Sequence, residues 1–467
     1  MTLDEIASAI GGRVHATYAA GAVDAARIRV TGPPFHDSRA VEVDGLFVAV
    51  AGEHVDGHDF AAAVVDAGAA AVLAARPVDV PAVLVDDPVE ALGRLATHVL
   101  AGLPDLRVVG LTGSQGKTGT KDLLAQLLEN TGATIAPVGS YNTELGVPLT
   151  ALRADRETRN LVLEMGARGI GHIRYLADMV RPSVAVVLNV GVAHLGEFGS
   201  QAGIARAKGE LVEALPDDGV AVLNADDPLV MAMAERTRAT VLTFGTSSQA
   251  DVRVGDLELD DLGRPRFTLT TPTGSAAVTL PLVGEHQALN AAAAAAVAHH
   301  VGLPVERICQ VLHNVVARSP WRMEVRDRDD GVTVVNDAYN ANPDSMRAAL
   351  KTLATIGAGR RRTVAVLGEM LELGAAAREE HDAIGRLAVR LDVSRLVVVG
   401  EGARAIHLGA SLEGSWGGES VFVPDTDAAL DLLRGEVAAG DVVLVKASRA
   451  AGLERVAAAL LDPGSRP

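Results

Sequence analysis

The chain has 467 residues, 48% hydrophobic but only 3% aromatic, and a formal charge of −17 with acidic and basic residues interspersed rather than in blocks. That length exceeds one domain and suggests about three. The charge argues against nucleic-acid or anionic-membrane partners, so any bound phosphate must be held locally.

The opening MTLDEIASAIGG has no basic stretch before an apolar core and does not read as a secretory signal. No apolar run approaches the ~18 residues of a membrane span, so no membrane insertion and a cytoplasmic location are expected; a monomer is the accompanying expectation. Residues 1–87 read as a small αβ unit, with strand-like Leu46–Val50 and Ala82–Asp87 around an Ala-rich helix from Asp59, closed by Pro88. From 88 to 318, RVVGLTG, NLVLEMG, VAVVLNV and VAVLNADDP each precede a helical or turn segment. This alternation predicts a doubly wound, mostly parallel sheet. Residues 251–283 switch to polar-alternating strands, an antiparallel excursion before a helix over His286–His300. Cys309, the single cysteine, falls in the pattern Val305–Val315 and reads as a buried core thiol, with no disulfide and no thiolate metal cluster. After Pro320 the alternation restarts with VTVVND, RRTVAVLGE, RLVVVGEGA, SVFVPD and DVVLVKAS, separated by helices over Pro343–Ile356 and Arg378–Leu391. The expected fold is α/β in three domains, 1–87, 88–318 and 319–467, with a ligand cleft between the two larger sheets.

The strongest chemical signal is Gly110–Lys117, GLTGSQGK, followed by Thr118. A strand that turns through Gly113, Ser114, Gln115 and Gly116 into a helix opening Lys117-Thr118-Gly119 builds a phosphate cradle from turn N–H groups and the helix dipole. Only two residues separate Gly113 from Gly116, so the loop is a shortened P-loop. Lys117 would reach the terminal phosphates of ATP or GTP, and the Thr118 hydroxyl would take a place on Mg²⁺. Leu123, Leu124, Leu127 and Leu128 form the stripe that seats this helix on the sheet.

Other polar groups gather at the same strand ends. Glu164 closes the apolar strand LVLEMG, where a carboxylate is costly unless paired or metal-bound, and His194 follows the next strand. Lys208 lies in IARAKGELVEAL; Glu210 is close, and a lysine facing the site would need neutralising. His286 and Asn290 share a helical face, where Asn290 suits a purine edge or an interhelical contact. Arg322, at the domain junction, is placed to swing onto a phosphate. Asp337–Ser345, DAYNANPDS, puts a carboxylate, the Tyr339 ring and the amides of Asn340 and Asn342 at a strand end, as a ligand loop does. Gly400, Gly402 and Ala405 spell a weak dinucleotide fingerprint that serves equally as a tight turn.

Taken together, TGSQGKT, YNTELGVP, LEMGA, NVGVAHLGEFGS, AKGE, NADDP, GEHQALNA, PWRMEV, NDAYNANPDS and KASR resemble the Mur ligase family over nearly the whole chain. HDSRAV, DGHDF and the YNANPDS loop are in the style of the branch that adds D-alanyl-D-alanine, and the DNPR motif of the diaminopimelate-adding branch is absent. The resemblance implies an N-terminal domain for the UDP end of the substrate, a central ATPase domain and a C-terminal Rossmann-like domain. It implies Ser38 and Arg39 at the UDP-sugar, and Asn142 and Thr143 along the peptide channel. It also implies Thr118 and Glu164 at one Mg²⁺ and His194 with a carbamylated Lys208 at the other. Asn290, Arg322 and Asp337 match ATP contacts. Ala447 departs from the family's usual KGSR glycine, and Thr143, Gln115 and Gly119 are further departures, none of which removes a charge.

The implied reaction is ATP-dependent ligation of D-alanyl-D-alanine to UDP-N-acetylmuramoyl-tripeptide through an acyl phosphate. Rival expectations are a diaminopimelate- or lysine-adding ligase, a folylpolyglutamate-synthase-like ligase, opposed by the HDSR unit, and a P-loop nucleotide switch, for which an NKxD-type guanine motif is missing.

Overall fold

The computed structural model describes residues 1–15, 25–52, 55–191, 198, 200–358, 360–414 and 417–462. His194 lies outside them. Among the described residues three sheets organise the chain, of four, nine and six strands.

The first sheet runs Arg13–His15, Ala82–Leu84, Ala71–Ala74, Leu46–Val48, with the first pair antiparallel and the others parallel. Its strands are shorter than the sequence reading allowed, and it gains two. Ala71–Ala74 is AVLA, buried at every residue, so it shows no alternation that distinguishes a strand from a helix. Helix Leu3–Ile10 is held by a capping box, the Glu5 N–H donating to Thr2 Oγ1 and the Thr2 N–H to the Glu5 carboxylate. The Ala-rich helix runs only over Ala61–Asp66, after a tighter turn over Gly57–Phe60. Helix Pro88–Ala101, capped by Asp87, serves two units: Leu92 and Leu95 pack in the N-terminal core and Ala96 in the central one.

The nine-stranded sheet runs Gly274–Thr279, Pro265–Thr271, Val252–Leu259, Thr240–Gly245, Val220–Asn224, Val184–Val187, Arg107–Thr112, Asn160–Glu164, Thr134–Ile135. The expected antiparallel excursion is its first three strands; the rest are parallel. Period two sorts the faces: Val109 and Leu111 pack with the P-loop helix Lys117–Leu128, whereas Leu161 and Leu163 pack against helix His172–Val180. The strand Arg107–Thr112 sits between Val184–Val187 and Asn160–Glu164, which opens a crevice at their carboxyl ends. Helix His286–His300 forms as expected and is fully buried from Ala291 to Ala298. Its run of small side chains lets it wedge between the sheet and the P-loop helix. Cys309 is buried beside it, and burial pushes its thiol up to about 11.

The six-stranded sheet runs Glu324–Asp327, Thr333–Asn336, Val442–Lys446, Thr363–Leu367, Arg395–Val399, Ser420–Val423, parallel except for the first pair. Helices Pro343–Gly357 and Ala377–Arg390 match the expected ones closely. Gly400 has φ +87° and opens a turn into helix Arg404–Leu412; a Cβ on Gly402 would fall 2.2 Å from the Glu369 carboxylate, so that carboxylate fills the space the fingerprint would give a dinucleotide. Among the described residues no helix is long and apolar enough to cross a membrane.

An Ala294→Leu substitution should cost little in helix propensity but place a larger side chain at a fully buried position. A loss of ~1–3 kcal/mol is expected, read as a lower urea midpoint. An unchanged midpoint would contradict the packing described.

Candidate active site

The P-loop is made by its glycines and braced from the neighbouring strand. Gly116 has φ +81°, and a Cβ there would stand 2.6 Å from Asn290 Oδ1, so backbone and space both demand glycine. Asn189 Oδ1 accepts the N–H groups of Ser114 at 2.9 Å and Gln115 at 3.1 Å, and its amide donates to the Gln115 carbonyl at 3.2 Å. Those turn donors are therefore used within the protein, leaving the first-turn N–H groups of the helix for an anion. The Lys117 ammonium donates to the Gly113 carbonyl at 2.7 Å. Desolvation lowers its pKa, Glu164 opposes that and Arg322 adds to it.

Glu164 is buried, with Thr118 Oγ1 donating to its Oε2 at 2.9 Å and Asn142 Nδ2 to its Oε1 at 2.7 Å. Ser140 Oγ lies 2.9 Å from the Thr118 hydroxyl. Neutral donors make these bonds, so no protein cation pairs directly with the carboxylate, which sits in a set of hard oxygen atoms, the chemistry Mg²⁺ prefers. Lys208 is also buried, and among the described residues no hydrogen bond or ion pair reaches its ammonium. Burial drives its pKa well below the ordinary lysine value, and Lys117 adds to the shift. Glu210 does not neutralise it: its carboxylate caps helix His172–Val180, accepting the N–H groups of Gly171 at 2.6 Å and Arg174 at 3.0 Å. Those unpaired N–H groups at the helix start are stronger claims on a buried carboxylate than a lysine two residues along its own helix.

The C-terminal unit supplies the opposite wall. Arg322 Nη2 donates to Ser140 Oγ at 3.1 Å, and its guanidinium lies 4.2 Å from the Tyr339 ring centroid. Its Nε is buried without a partner among the described residues. Trp321 and Met323, on either side, have φ of +59° and +49°, a strained conformation for such side chains. Asp337 helps hold it: Oδ1 accepts the Met323 N–H at 3.1 Å and Oδ2 accepts the Lys446 ammonium at 2.5 Å. Lys446 also donates to the Asn340 carbonyl at 2.9 Å. Burial lowers the Lys446 pKa, Asp337 opposes this and Arg322 adds to it. Arg449 stacks over Trp321 at 4.1 Å.

These groups line one cleft of about 620 Å³. Apart from Ser38, Arg39 and His194, every sequence-predicted site residue borders it. Asp337 does so with both carboxylate oxygens already engaged by the protein. Arg39 is exposed and held by Asp37 at 2.7 and 2.8 Å. His36 of the same segment lines a second pocket of about 390 Å³, which shares Ser140, Thr143 and Tyr339 with the main cleft. Sequence reasoning missed Lys446, Arg449, Ser140 and Asn189 as site groups. Lys446 carries the signal that marked Glu164, a charge closing an apolar strand. Ala447, at the departure from the family glycine, is fully buried and fits because residue 368 is glycine, where a Cβ would lie 2.7 Å from it.

Family models match along the chain: Mur ligase middle domain over residues 111–298, Mur ligase, glutamate ligase domain over 321–449, and Mur ligase family, catalytic domain over 35–99. The UDP-N-acetylmuramoyl-tripeptide--D-alanyl-D-alanine ligase of Mycobacterium tuberculosis (strain H37Rv) is 52% identical, over 99% of this chain and 98% of that protein. The chain belongs to the Mur ligase family. Among solved members, MurF from Acinetobacter baumannii superposes with a TM-score of 0.84 at 32% identity, covering 99% of this chain and 98% of that one. MurF ligase from Thermotoga maritima, solved in complex with ADP, has a TM-score of 0.77 at 32% identity, covering 91% of this chain and 96% of that one. The cleft of this Mur ligase thus lies within a fold shared end to end with its relatives.

Gly116→Ala should disturb the cradle without unfolding the chain. The added methyl meets Asn290 and forces positive φ on alanine, so nucleotide affinity should fall at least tenfold, for a stability cost of about 1–2 kcal/mol. Calorimetric titration with ADP reads the first and thermal melting the second; unaltered ADP affinity would show that the loop is not the phosphate site.

Proposed function

We propose that this chain is an ATP-dependent ligase joining D-alanyl-D-alanine to UDP-N-acetylmuramoyl-tripeptide, yielding the pentapeptide precursor for peptidoglycan synthesis. The carrying observation is that Ser140 Oγ contacts both Thr118 of the P-loop and Arg322 of the C-terminal unit, so nucleotide cradle and guanidinium converge on one point. Relatives bearing that activity in their names match from end to end. The domain division 1–87, 88–318 and 319–467 accompanies this reading, with the UDP end near Ser38 and Arg39. Asn142, Thr143, Asn340 and Asn342 would line the path of the peptide and the dipeptide. ATP and a UDP-linked substrate suit a cytoplasmic reaction.

The γ-phosphoryl group passes from ATP to the terminal carboxylate of the tripeptide, releasing ADP and leaving an acyl phosphate. The amine of D-alanyl-D-alanine attacks the acyl carbon, the C–O bond to phosphate breaks, and the amine proton leaves with inorganic phosphate or solvent. Two anions must meet in the first step. Lys117 and Arg322 offset their repulsion and align them, with Asn290 and Tyr339 fixing the nucleotide against the loop. Thr118 and Glu164 would hold one Mg²⁺, and His194 and Lys208 a second; bound Mg²⁺ supplies further charge neutralisation at the phosphates. For that role Lys208 must become an anion. As a neutral amine its Nζ attacks carbon dioxide, forming an N–C bond as one C=O π pair moves onto oxygen, and a proton passes from nitrogen to solvent to leave a carbamate. A buried amine with no partner among the described residues and a lowered pKa suits that step.

Phosphate release should require Mg-ATP, D-alanyl-D-alanine and a UDP-muramyl tripeptide together, with a pentapeptide product by mass. Tripeptides differing in the third residue would rank its preference. Lys208→Ala should lose ~100-fold or more in rate and regain part of it with added short carboxylates, as expected for a lost metal-site anion. Release without the dipeptide would count against ligation, and full activity of Lys208→Ala alone against the carbamate.

A further inference from the structure

We propose that Lys121 is a positioning residue for this reaction, a buried hub that sets Arg322 and Ser140 relative to the P-loop; the inference rests on Arg322 meeting the γ-phosphate of ATP.

Lys121 follows Lys117 by one helical turn, but it does not border the cleft and is 1% exposed. Its ammonium donates to the Pro137 carbonyl at 2.6 Å and to Ser319 Oγ at 3.1 Å, and pairs with Asp122 Oδ1 at 2.5 Å. Asp122 Oδ2 in turn accepts the Ser319 N–H at 2.9 Å. The three protons of the ammonium thus have three acceptors on three segments.

Each segment carries a site residue a short way on. The helix bears Thr118. The segment from Pro137 leads to Ser140 and Asn142. Ser319 leads through Pro320 into the strained Trp321–Met323 run that presents Arg322. The tips meet again in the cleft, where Ser140 Oγ touches both Thr118 and Arg322. Farther along the helix, Gln126 exchanges hydrogen bonds with Val316 at 2.9 and 3.0 Å, and Glu129 takes Arg318 at 2.5 and 2.8 Å. The linker between the two larger sheets is therefore strapped along the P-loop helix and enters the cleft from a fixed anchor.

A buried ion pair adds little stability over a well-packed apolar residue of the same size. A methionine at 121 would fill the space. What it would not supply is direction: two oriented hydrogen bonds that fix Pro137 and Ser319 to the helix, steadied by the pair with Asp122. Strained backbone such as that at Trp321 and Met323 persists only where its surroundings over-determine it.

The test uses the full chain with Lys121→Met and, as a milder change, Ser319→Ala, each checked by thermal melting, beside Arg322→Ala. Calorimetry compares the affinity for a non-hydrolysable ATP analogue with that for ADP. Positioning predicts that the preference for the triphosphate narrows roughly tenfold in Lys121→Met and severalfold in Ser319→Ala, as loss of a charge-assisted contact would give. ADP affinity and the KM for tripeptide should hold while kcat falls. A merely structural role would shift both nucleotides together or neither. Wild-type preference in both variants, with a narrowed one in Arg322→Ala, overturns the positioning role. An unchanged preference in Arg322→Ala overturns the γ-phosphate contact and the inference with it. If Lys121→Met does not fold, Ser319→Ala decides alone.

Discussion

Crowding of like charge around one cleft is the constraint on which the rest of this structure depends. Lys117, Lys208, Arg322 and Lys446 border one cavity. Protein packing strips water from the three lysine amines, and neighbouring positive charge works against the protonation of each: Arg322 acts on Lys117 and Lys446, and Lys117 on Lys208. Glu164 and Asp337 offset only part of this. The triphosphate of ATP and the carboxylate of the acceptor peptide supply the missing negative charge. In a medium of low dielectric that attraction is far stronger than in water and requires no reorganisation when phosphoryl transfer occurs.

Holding such a cluster together is the task of the backbone. Both larger sheets present the carboxyl ends of their parallel strands to the cleft, and the site is assembled from what closes those strands: Thr112 and the loop after it, Glu164, Asn189, Asp337 and Lys446. Asp337 and Lys446 close adjacent strands, whose register is fixed where the Asp337 N–H meets the Val445 carbonyl at 2.9 Å. Arg322 reaches the site by another route, on a linker with positive φ on both sides. The polar strap along the P-loop helix and the Asp337 carboxylate clamp that linker from opposite ends.

What the sequence made legible was what breaks a period. A glycine turn between an apolar strand and a helix opening Lys-Thr has few other uses, and Glu164 stood out because a carboxylate closed a run of buried residues. The helix over His286–His300 was legible where the polar-alternating strands end. Lys446 has the same signature as Glu164 but was passed over, since a lysine at a strand end ordinarily snorkels to water. Lys121 was invisible for a different reason. On the helix KTGTKDLLAQLL it occupies a polar position, and the acceptors beyond its own helix lie 16 and 198 positions away. Glu210 shows the reverse: proximity to Lys208 in sequence suggested a pair, whereas unsatisfied N–H groups at a neighbouring helix start claimed the carboxylate. Local pattern records what a residue can do, and distant chain decides which of those options it takes.

The central claim is that the cleft joins two anions by moving a phosphoryl group onto a carboxylate. Tripeptide labelled with heavy oxygen in its terminal carboxylate tests it directly. If the acyl phosphate forms, one labelled oxygen must leave with the released phosphate in each turnover that also yields pentapeptide. Phosphate free of label, alongside normal pentapeptide formation, would contradict it.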